Sequence, residues 1–344
     1  MAKIHFTNSD AGRWLCCLAG LTFFACHARG QEYDPDWTRN FRVGALVGLN
    51  IGASFNMKGP FNVSKKQPGV YDDGYVRVDQ TGNAQGYTSN WGYNNASQYD
   101  GNHTLLMHSG TSFTPTGPTS SSKSDEVFVG FDLAYGGNIY RWNSTRLGWE
   151  LGFGLLPIKI TDNQPIKGNL NSSVFSFDTG GIVMPTGPYN GGPSGIGPTI
   201  HDHATQLADE SASATITGSR TLDVNLYLVR LGPTLFWDVN RYVGLEVGVG
   251  PALGIVSGNL KFDETITTDE GGTTHNRGQI GATELTFGGY VNSTLTLHMV
   301  KNGDFYLGVQ FIPMNSTTIS GGGREARLNL GGQVYLSAGV NWPF

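Results

Sequence analysis

Eight stretches of the chain alternate apolar and polar residues with a period of two. Successive side chains of a β-strand point to opposite faces, so this period predicts strands with one apolar and one polar face. Most of the stretches are longer than the ordinary strand of a soluble protein. They cover residues 41–57, 127–140, 147–160, 221–237, 243–256, 283–299, 305–314 and 326–344.

The connections between these stretches are sorted by length. Short links at 141–146, 238–242 and 300–304 alternate with long ones at about 58–126, 161–220, 257–282 and 315–325. A barrel that crosses a bilayer has short turns at its periplasmic rim and long loops outside, whereas a soluble β-sandwich has no reason to sort its loops in this way. We therefore expect an all-β fold: an eight-stranded antiparallel transmembrane β-barrel with long extracellular loops and short periplasmic turns.

Two alternatives remain open at this point. A β-sandwich would bury the apolar faces in a core rather than expose them to lipid. Within the first long loop, "GYVRV" (74–78) and "TLLMH" (104–108) have strand character. We expect them to pair as a hairpin above the membrane, although they would instead be strands nine and ten of a larger barrel if the ring were wider.

Composition agrees with a barrel in lipid. The polar faces consist mainly of Gly, Asn, Ser, Thr and charged residues, which suits a polar lumen, and the chain contains 50 glycines. Aromatic residues gather near the short turns, where an interfacial girdle is expected. They are Tyr140, Trp142, Trp149, Trp237, Tyr242, Phe305, Trp342 and Phe344.

The first 30 residues have the pattern of a secretory signal peptide. Lys3 and Arg13 precede the apolar run "WLCCLAGLTFFAC", and small residues follow it. The run is shorter than the roughly 20 residues that a spanning helix needs. We expect cleavage near Ala28 or Gly30, which leaves residues 31–344 as one outer-membrane barrel domain.

Cleavage would also decide the charge and the redox chemistry of the mature chain. All three cysteines lie in the signal segment, so no disulfide or thiolate chemistry is expected. Removal of three cations and one anion changes the formal net charge from −5 to −7. This negative balance argues against nucleic acid as a partner.

The final residues "SAGVNWPF" resemble the C-terminal signature of bacterial outer-membrane barrels. Ser337, Gly339, Trp342 and Phe344 take the defined places of that signature. The resemblance implies recognition by the barrel-assembly machinery and location in the bacterial outer membrane, with outer-membrane lipids as partners. The mature chain as a whole resembles small OmpX/OmpW-like, porin-like outer-membrane barrels, but its first two outer loops are longer.

Charged residues on the polar faces predict a network in the lumen. In a narrow barrel such charges must pair, because an unpaired buried charge costs several kcal/mol. Arg230 fits this face only if Leu228-Val229 is a bulge. Two interpretations are open: a salt-bridged plug that fixes barrel geometry, or a selectivity ring in a pore. The candidates are Arg42, Asp132, Glu150, Asp223, Arg230, Glu246, Glu284 and Arg327.

No other motif indicates chemistry. His201 and His203 resemble half of a metal site, with His103 and His108 as possible partners, but no spacing of ligands indicates a metal. Loop serines and histidines are plentiful without the arrangement of a triad. We therefore expect no catalytic, cofactor or metal site.

The expected function is structural or surface-interacting. Loops tolerate variation while the barrel wall must keep its lipid and lumen faces, so specificity for an unknown extracellular ligand is expected in the outer loops. The alternatives are a narrow pore for small solutes and an outer-membrane hydrolase or acyltransferase that modifies lipids or peptides.

Overall fold

The structure is a computed structural model that describes residues 38–58, 61–62, 68–78, 83–117, 119–192, 196–268, 273–300 and 303–344. The expected signal peptide lies outside these residues. Among the described residues, no helix is long and apolar enough to span a membrane.

Eight long strands form the wall. Each strand pairs antiparallel with its neighbours in the chain, and the last pairs with the first, so the ring is closed. This confirms the predicted eight-stranded barrel and excludes a sandwich of two open sheets. The strands are β1 (Arg39–Met57), β2 (Ser120–Trp142), β3 (Thr145–Asp162), β4 (Glu210–Asn240), β5 (Val243–Thr268), β6 (Thr273–Val300), β7 (Gly303–Phe311) and β8 (Val334–Pro343).

The predicted hairpin in the first long loop is wrong. Gly74–Val76 pairs with Val70–Tyr71 and Trp91–Tyr93. Thr104–Pro115 pairs instead with Ile166–Asp178 from the second long loop, which pairs in turn with the start of β4. These strands branch from the ring without entering it, so the ring has eight strands and not ten.

The first two long loops together build a structured head, which we define as the described residues of 61–117 and 163–209. Its core contains Trp91, Tyr93, Met107 and Phe177, each at most 2% exposed. Beyond the strands above, the head contains Phe61–Asn62, Tyr87–Thr88, Tyr189–Asn190, Ile200–His201, Thr205–Gln206 and the 3₁₀ turns Ala84–Gly86 and Ala96–Gln98. The last long loop forms the hairpin of Thr317–Gly321 and Arg324–Asn329, which pairs with β1.

A belt of exposed apolar side chains surrounds the short-turn half of the barrel. On β4 the outward residues between 227 and 237 are apolar, and this stretch has the length of about 9–11 residues that a tilted transmembrane strand needs. The expected girdle lies at the short-turn rim, where Trp142, Trp237 and Phe344 are exposed. Trp149 and Phe305 are half-buried.

The apolar faces do not stay on the outside along the whole strand, which corrects the prediction. In β1, Phe41 is exposed, whereas Ile51 and Phe55 of the same odd-numbered set are buried inside. Asn50, with φ of +58°, lies in a register shift between Gly48 and Ile51 that exchanges the two faces. The barrel interior toward the long loops is consequently apolar.

The last predicted stretch, residues 326–344, is not one strand but parts of two. Arg324–Asn329 and β8 are separated by the bend at Gly331-Gly332. Leu328 faces inward and is buried, while Leu336 faces outward and is 41% exposed, although both belong to the even-numbered set.

Candidate functional site

The lower half of the barrel interior holds a chain of buried ion pairs. Arg42 contacts Glu150 and donates to both carboxylate oxygens of Glu246 at 3.2 and 3.3 Å. Arg230 donates two parallel bonds of 2.8 Å to Asp132, and its Nε lies 3.6 Å from Glu150. These five side chains link β1, β2, β3, β4 and β5 into one lower network.

Neutral side chains complete the lower network. Its three carboxylates exceed its two guanidinium groups, and amides offset part of this excess: Asn292 donates to Glu150 at 3.4 Å and Gln310 to Asp132 at 3.5 Å. Toward the short turns, Arg146 pairs with Asp238 at 2.6 Å and His298 with Asp304 at 3.0 Å. Contacts to charged groups therefore continue from the lower network toward the short turns.

Above the lower network, an apolar layer fills the interior. It belongs to one hydrophobic cluster to which β1–β6, β8 and the segment between β7 and β8 contribute. Water does not reach its central side chains, because Leu46, Leu156, Leu226, Leu330 and Tyr335 are each 0% exposed. A layer of this kind separates the two ends of the barrel with close-packed side chains.

A second set of ion pairs lies on the other side of the apolar layer. Arg220 donates from Nη2 to Asp162 at 2.9 Å and lies 3.5 Å from Glu264, while Arg324 donates to Glu264 at 2.6 Å. These four residues form the upper network, which has equal numbers of guanidinium and carboxylate groups. Sequence reasoning missed all four.

The structure brings together five of the eight predicted lumen residues: Arg42, Asp132, Glu150, Arg230 and Glu246. The other three are corrections, and so is the bulge proposed at Leu228-Val229. Asp223 faces outward and pairs with Lys261 at 2.6 Å, and Glu284 and Arg327 are exposed and outside both networks as far as the described residues extend.

The register of β4 gives the physical reason for the corrections at Asp223 and at Leu228-Val229. β3 and β4 pair without interruption from Arg220–Asp162 to Trp237–Thr145, so β4 has no bulge between Arg220 and Trp237. Leu222, Leu228 and Arg230 therefore share one inward face. Asp223 has the opposite parity and must point outward.

The proposed assembly residues lie at the closure between β8 and β1. Ser337 faces the lumen beside Gln310, and Gly339 lies opposite Gly44. Trp342 packs on Phe41 with ring centroids 6.3 Å apart. The backbone of Phe344 exchanges hydrogen bonds with Arg39, at 2.8 and 2.9 Å, while its ring is 61% exposed.

Three histidines of the head, His108, His201 and His203, each lie beside an acidic side chain. The ring of His108 lies 2.6 Å from Asp73 and 3.4 Å from Glu210. The hydrogen bond to Asp73 raises the pKa of His108 above its ordinary value of 6.5, against the opposing effect of burial. His201 and His203 lie near Asp178 and Asp202. Within the described part of the chain, no three His, Cys, Asp or Glu side chains converge as metal ligands do.

No family model and no curated protein matches this chain. Solved structures that match include Ail, the attachment invasion locus protein of Yersinia pestis, in complex with a heparin analogue (9% identity, 89% of this chain and 99% of that one, TM-score 0.28). The outer membrane protein OprG of Pseudomonas aeruginosa matches at 10% identity (92% and 98%, 0.35). The outer membrane protease OmpT of Escherichia coli matches at 9% (92% and 100%, 0.28).

These similar structures are outer-membrane proteins, as the resemblance predicted. Their TM-scores lie below 0.5, so none of them assigns a residue or an activity to this chain. The fold is established here by its own strand pairing.

Proposed function

We propose that this protein is a bacterial outer-membrane barrel that displays its structured head outside the cell to bind a surface partner, without catalysis. The observation that carries the proposal is the combination of a filled barrel interior and a head with its own core. The long loops lie outside and the short turns in the periplasm, as in barrels of this class.

The filled interior supports a binding role over a pore. A solute that passes through the barrel would have to separate the apolar layer and then both ion-pair networks. Separating buried ion pairs is costly because each leaves an uncompensated charge in a low dielectric. Eight strands also leave a barrel interior only wide enough for its side chains.

The order of the head supports recognition by a preformed surface. Trp91 and Tyr93 stack at 6.0 Å, and Tyr189 packs against Trp91 at 4.7 Å. The side chains of Trp91 and Tyr93 donate to the carbonyls of Pro198 and Pro185, which fix the second long loop on the first. A surface held in this way loses little conformational entropy when it binds.

One experiment tests both that the barrel does not conduct and that the head binds the partner. Residues 59–118 are replaced by a short Gly/Asn turn. Met57 N–H already donates to the Thr119 carbonyl at 2.9 Å, so the two ends lie close enough for such a turn. The control variant replaces residues 269–272, which join β5 to β6 and lie outside the head.

Wild type and both variants are inserted into planar bilayers and into nanodiscs. We expect no single-channel conductance from wild type. On a panel of purified glycans and extracellular-matrix proteins, we expect binding by wild type and the control variant, and loss of binding in the variant without residues 59–118. Stepwise conductance of wild type, or full binding without residues 59–118, would contradict the proposal.

A further inference from the structure

The barrel wall has a seam between β2 and β3. These strands pair from the short turn only as far as Phe131–Leu155. Beyond that pair, β2 remains paired with β1, and β3 remains paired with β4. Gly130 lies where the strands part, and a Cβ there would collide with the carbonyl oxygen of Leu155.

A cavity of about 300 Å³ occupies the long-loop end of this seam. Phe55, Ile166 and Pro165 supply apolar surface, and Ser121, Lys167 and the upper-network pair Asp162–Arg220 supply polar groups. This volume is at the lower end of the range for small-molecule sites, which are mostly apolar with a few fixed polar groups.

Some polar groups of the cavity already have hydrogen-bond or ion-pair partners, and others do not. Arg220 and Asp162 are committed to each other, with Arg220 Nε and Nη2 both on Asp162 Oδ2. The buried Oγ of Ser121 has no hydrogen-bond partner among the described residues. Lys167 is exposed, and none of the described ion pairs involves it. The cavity is therefore bordered by one buried hydroxyl without a hydrogen-bond partner and by one uncommitted cation.

We propose that the cavity binds a small organic anion with an apolar body. Its carboxylate or phosphate contacts Lys167 and Ser121, and its apolar part packs on Phe55 and Ile166. The formal charge of the lining is +1 from Lys167, Arg220 and Asp162, which favours an anion over a neutral molecule. This site lies apart from the core of the head and does not depend on the proposed function.

The probe for this site is 4-fluorobenzoate, whose ¹⁹F line width is measured with the full chain in detergent micelles. The neutral 4-fluorobenzamide and protein-free micelles are the references. Lys167→Glu removes the cation, and Ser121→Leu fills the cavity. The matched control is Lys159→Glu, an equal change of charge at an exposed outward lysine on β3 that does not line the cavity.

We expect the line of 4-fluorobenzoate to broaden with wild type and with Lys159→Glu, and the broadening to be lost in Lys167→Glu and Ser121→Leu. The Lys167→Glu result decides if Ser121→Leu fails to fold. Absence of broadening with wild type overturns the proposal. Equal broadening of 4-fluorobenzamide, or equal loss in Lys159→Glu, also overturns it, because binding would then not depend on the anion or on this cavity.

Discussion

At the scale of single residues, the barrel interior depends on charges that are buried and held in ion pairs. Arg230 is 1% exposed and holds Asp132 through two hydrogen bonds of 2.8 Å. By contrast, Lys261 and Asp223 pair at 2.6 Å on the outer wall, where both side chains are more than a third exposed. The two pairs have similar contact distances and opposite environments, so comparing them shows how much burial adds to an ion pair.

We expect Arg230→Met to destabilise the folded barrel by about 3–5 kcal/mol, because it leaves Asp132 charged and unpaired. The double variant Arg230→Met, Asp132→Leu should recover much of that loss. Lys261→Met should cost less than about 1 kcal/mol, since exposed pairs contribute little. Urea unfolding in detergent measures all three, and a single-variant cost equal to that of Lys261→Met would contradict this account of the lower network.

The head contains a pH-dependent contact at His108. Asp73 and Glu210 stabilise its protonated form, so the folded pKa lies above the ordinary 6.5. A raised pKa gives stability that is complete below about pH 6.5 and is lost as pH rises through the folded pKa. We therefore expect slower amide exchange in Thr104–Pro115 at pH 6 than at pH 8, after correction for intrinsic rates.

His108→Gln should remove this pH dependence. His203→Gln serves as the control, because the side chain of His203 is 86% exposed and lies on another segment of the head. An NMR titration that places the pKa of His108 at or below 6.5 would rule the contact out as a source of stability.

At the scale of elements, the longer strands divide into a lipid-facing part and a part beyond the belt. β4 extends over 31 residues and β5 over 26, which is more than twice what a bilayer requires. The remaining length carries the apolar layer, the upper network and the base of the head. β8, with 10 residues, lies almost wholly at the level of the belt and completes the ring against β1.

The terminal strand allows the assembly signal to be tested apart from its contact with lipid. We expect Phe344→Ser to lower the amount of folded protein in the outer membrane, because the resemblance assigns this ring to recognition by the assembly machinery. Phe287→Ser is the matched control: Phe287 is 59% exposed and Phe344 61%, so both lose a similar lipid contact. Quantitative immunoblots of membrane fractions compare them, and equal levels would show that Phe344 has no special role.

At the scale of the whole molecule, closure of the ring is what keeps it intact in lipid. Every strand of the belt has two partners, so no backbone edge meets the hydrocarbon. The head and the seam between β2 and β3 lie beyond that level, where water can satisfy backbone groups. The same chain therefore combines a closed wall in the membrane with open features above it.

A closed barrel should resist dodecyl sulfate and migrate differently on a gel before and after boiling. We expect Gly339→Val to lose the separate band of folded protein in unboiled samples. A Cβ at Gly339 would collide with the backbone of Val43 on β1, the strand that β8 closes against. Gly331→Val should keep that band, because nothing lies within 4 Å of a Cβ at Gly331. Identical migration of boiled and unboiled wild type would count against closure.

The sequence by itself determined the number of strands in the wall and the places of the short turns between them. It was wrong about the third long loop, because most of 257–282 belongs to β5 and β6, and about 326–344, which is two strands. A period of two is a local property of extended backbone, and turn residues mark where it stops. For that reason the predicted stretches 147–160 and 221–237 lie inside β3 and β4, and the short links match the turns between β2 and β3 and between β4 and β5.

Only the tertiary structure decided which face of each strand points inward. In this barrel apolar side chains have two favourable surroundings, the lipid outside and the packed layer inside, and alternation alone cannot distinguish them. The shift at Asn50 and the uninterrupted register of β4 settle the question through pairing between strands far apart in the chain. The upper-network residues lie on the same strand faces as buried apolar residues two positions away. The pairs are Arg220 with Leu222, Asp162 with Ile160, and Arg324 with Ala326. The charged residues lie in the interior because those neighbours do, and their partners are brought to them by the closed ring.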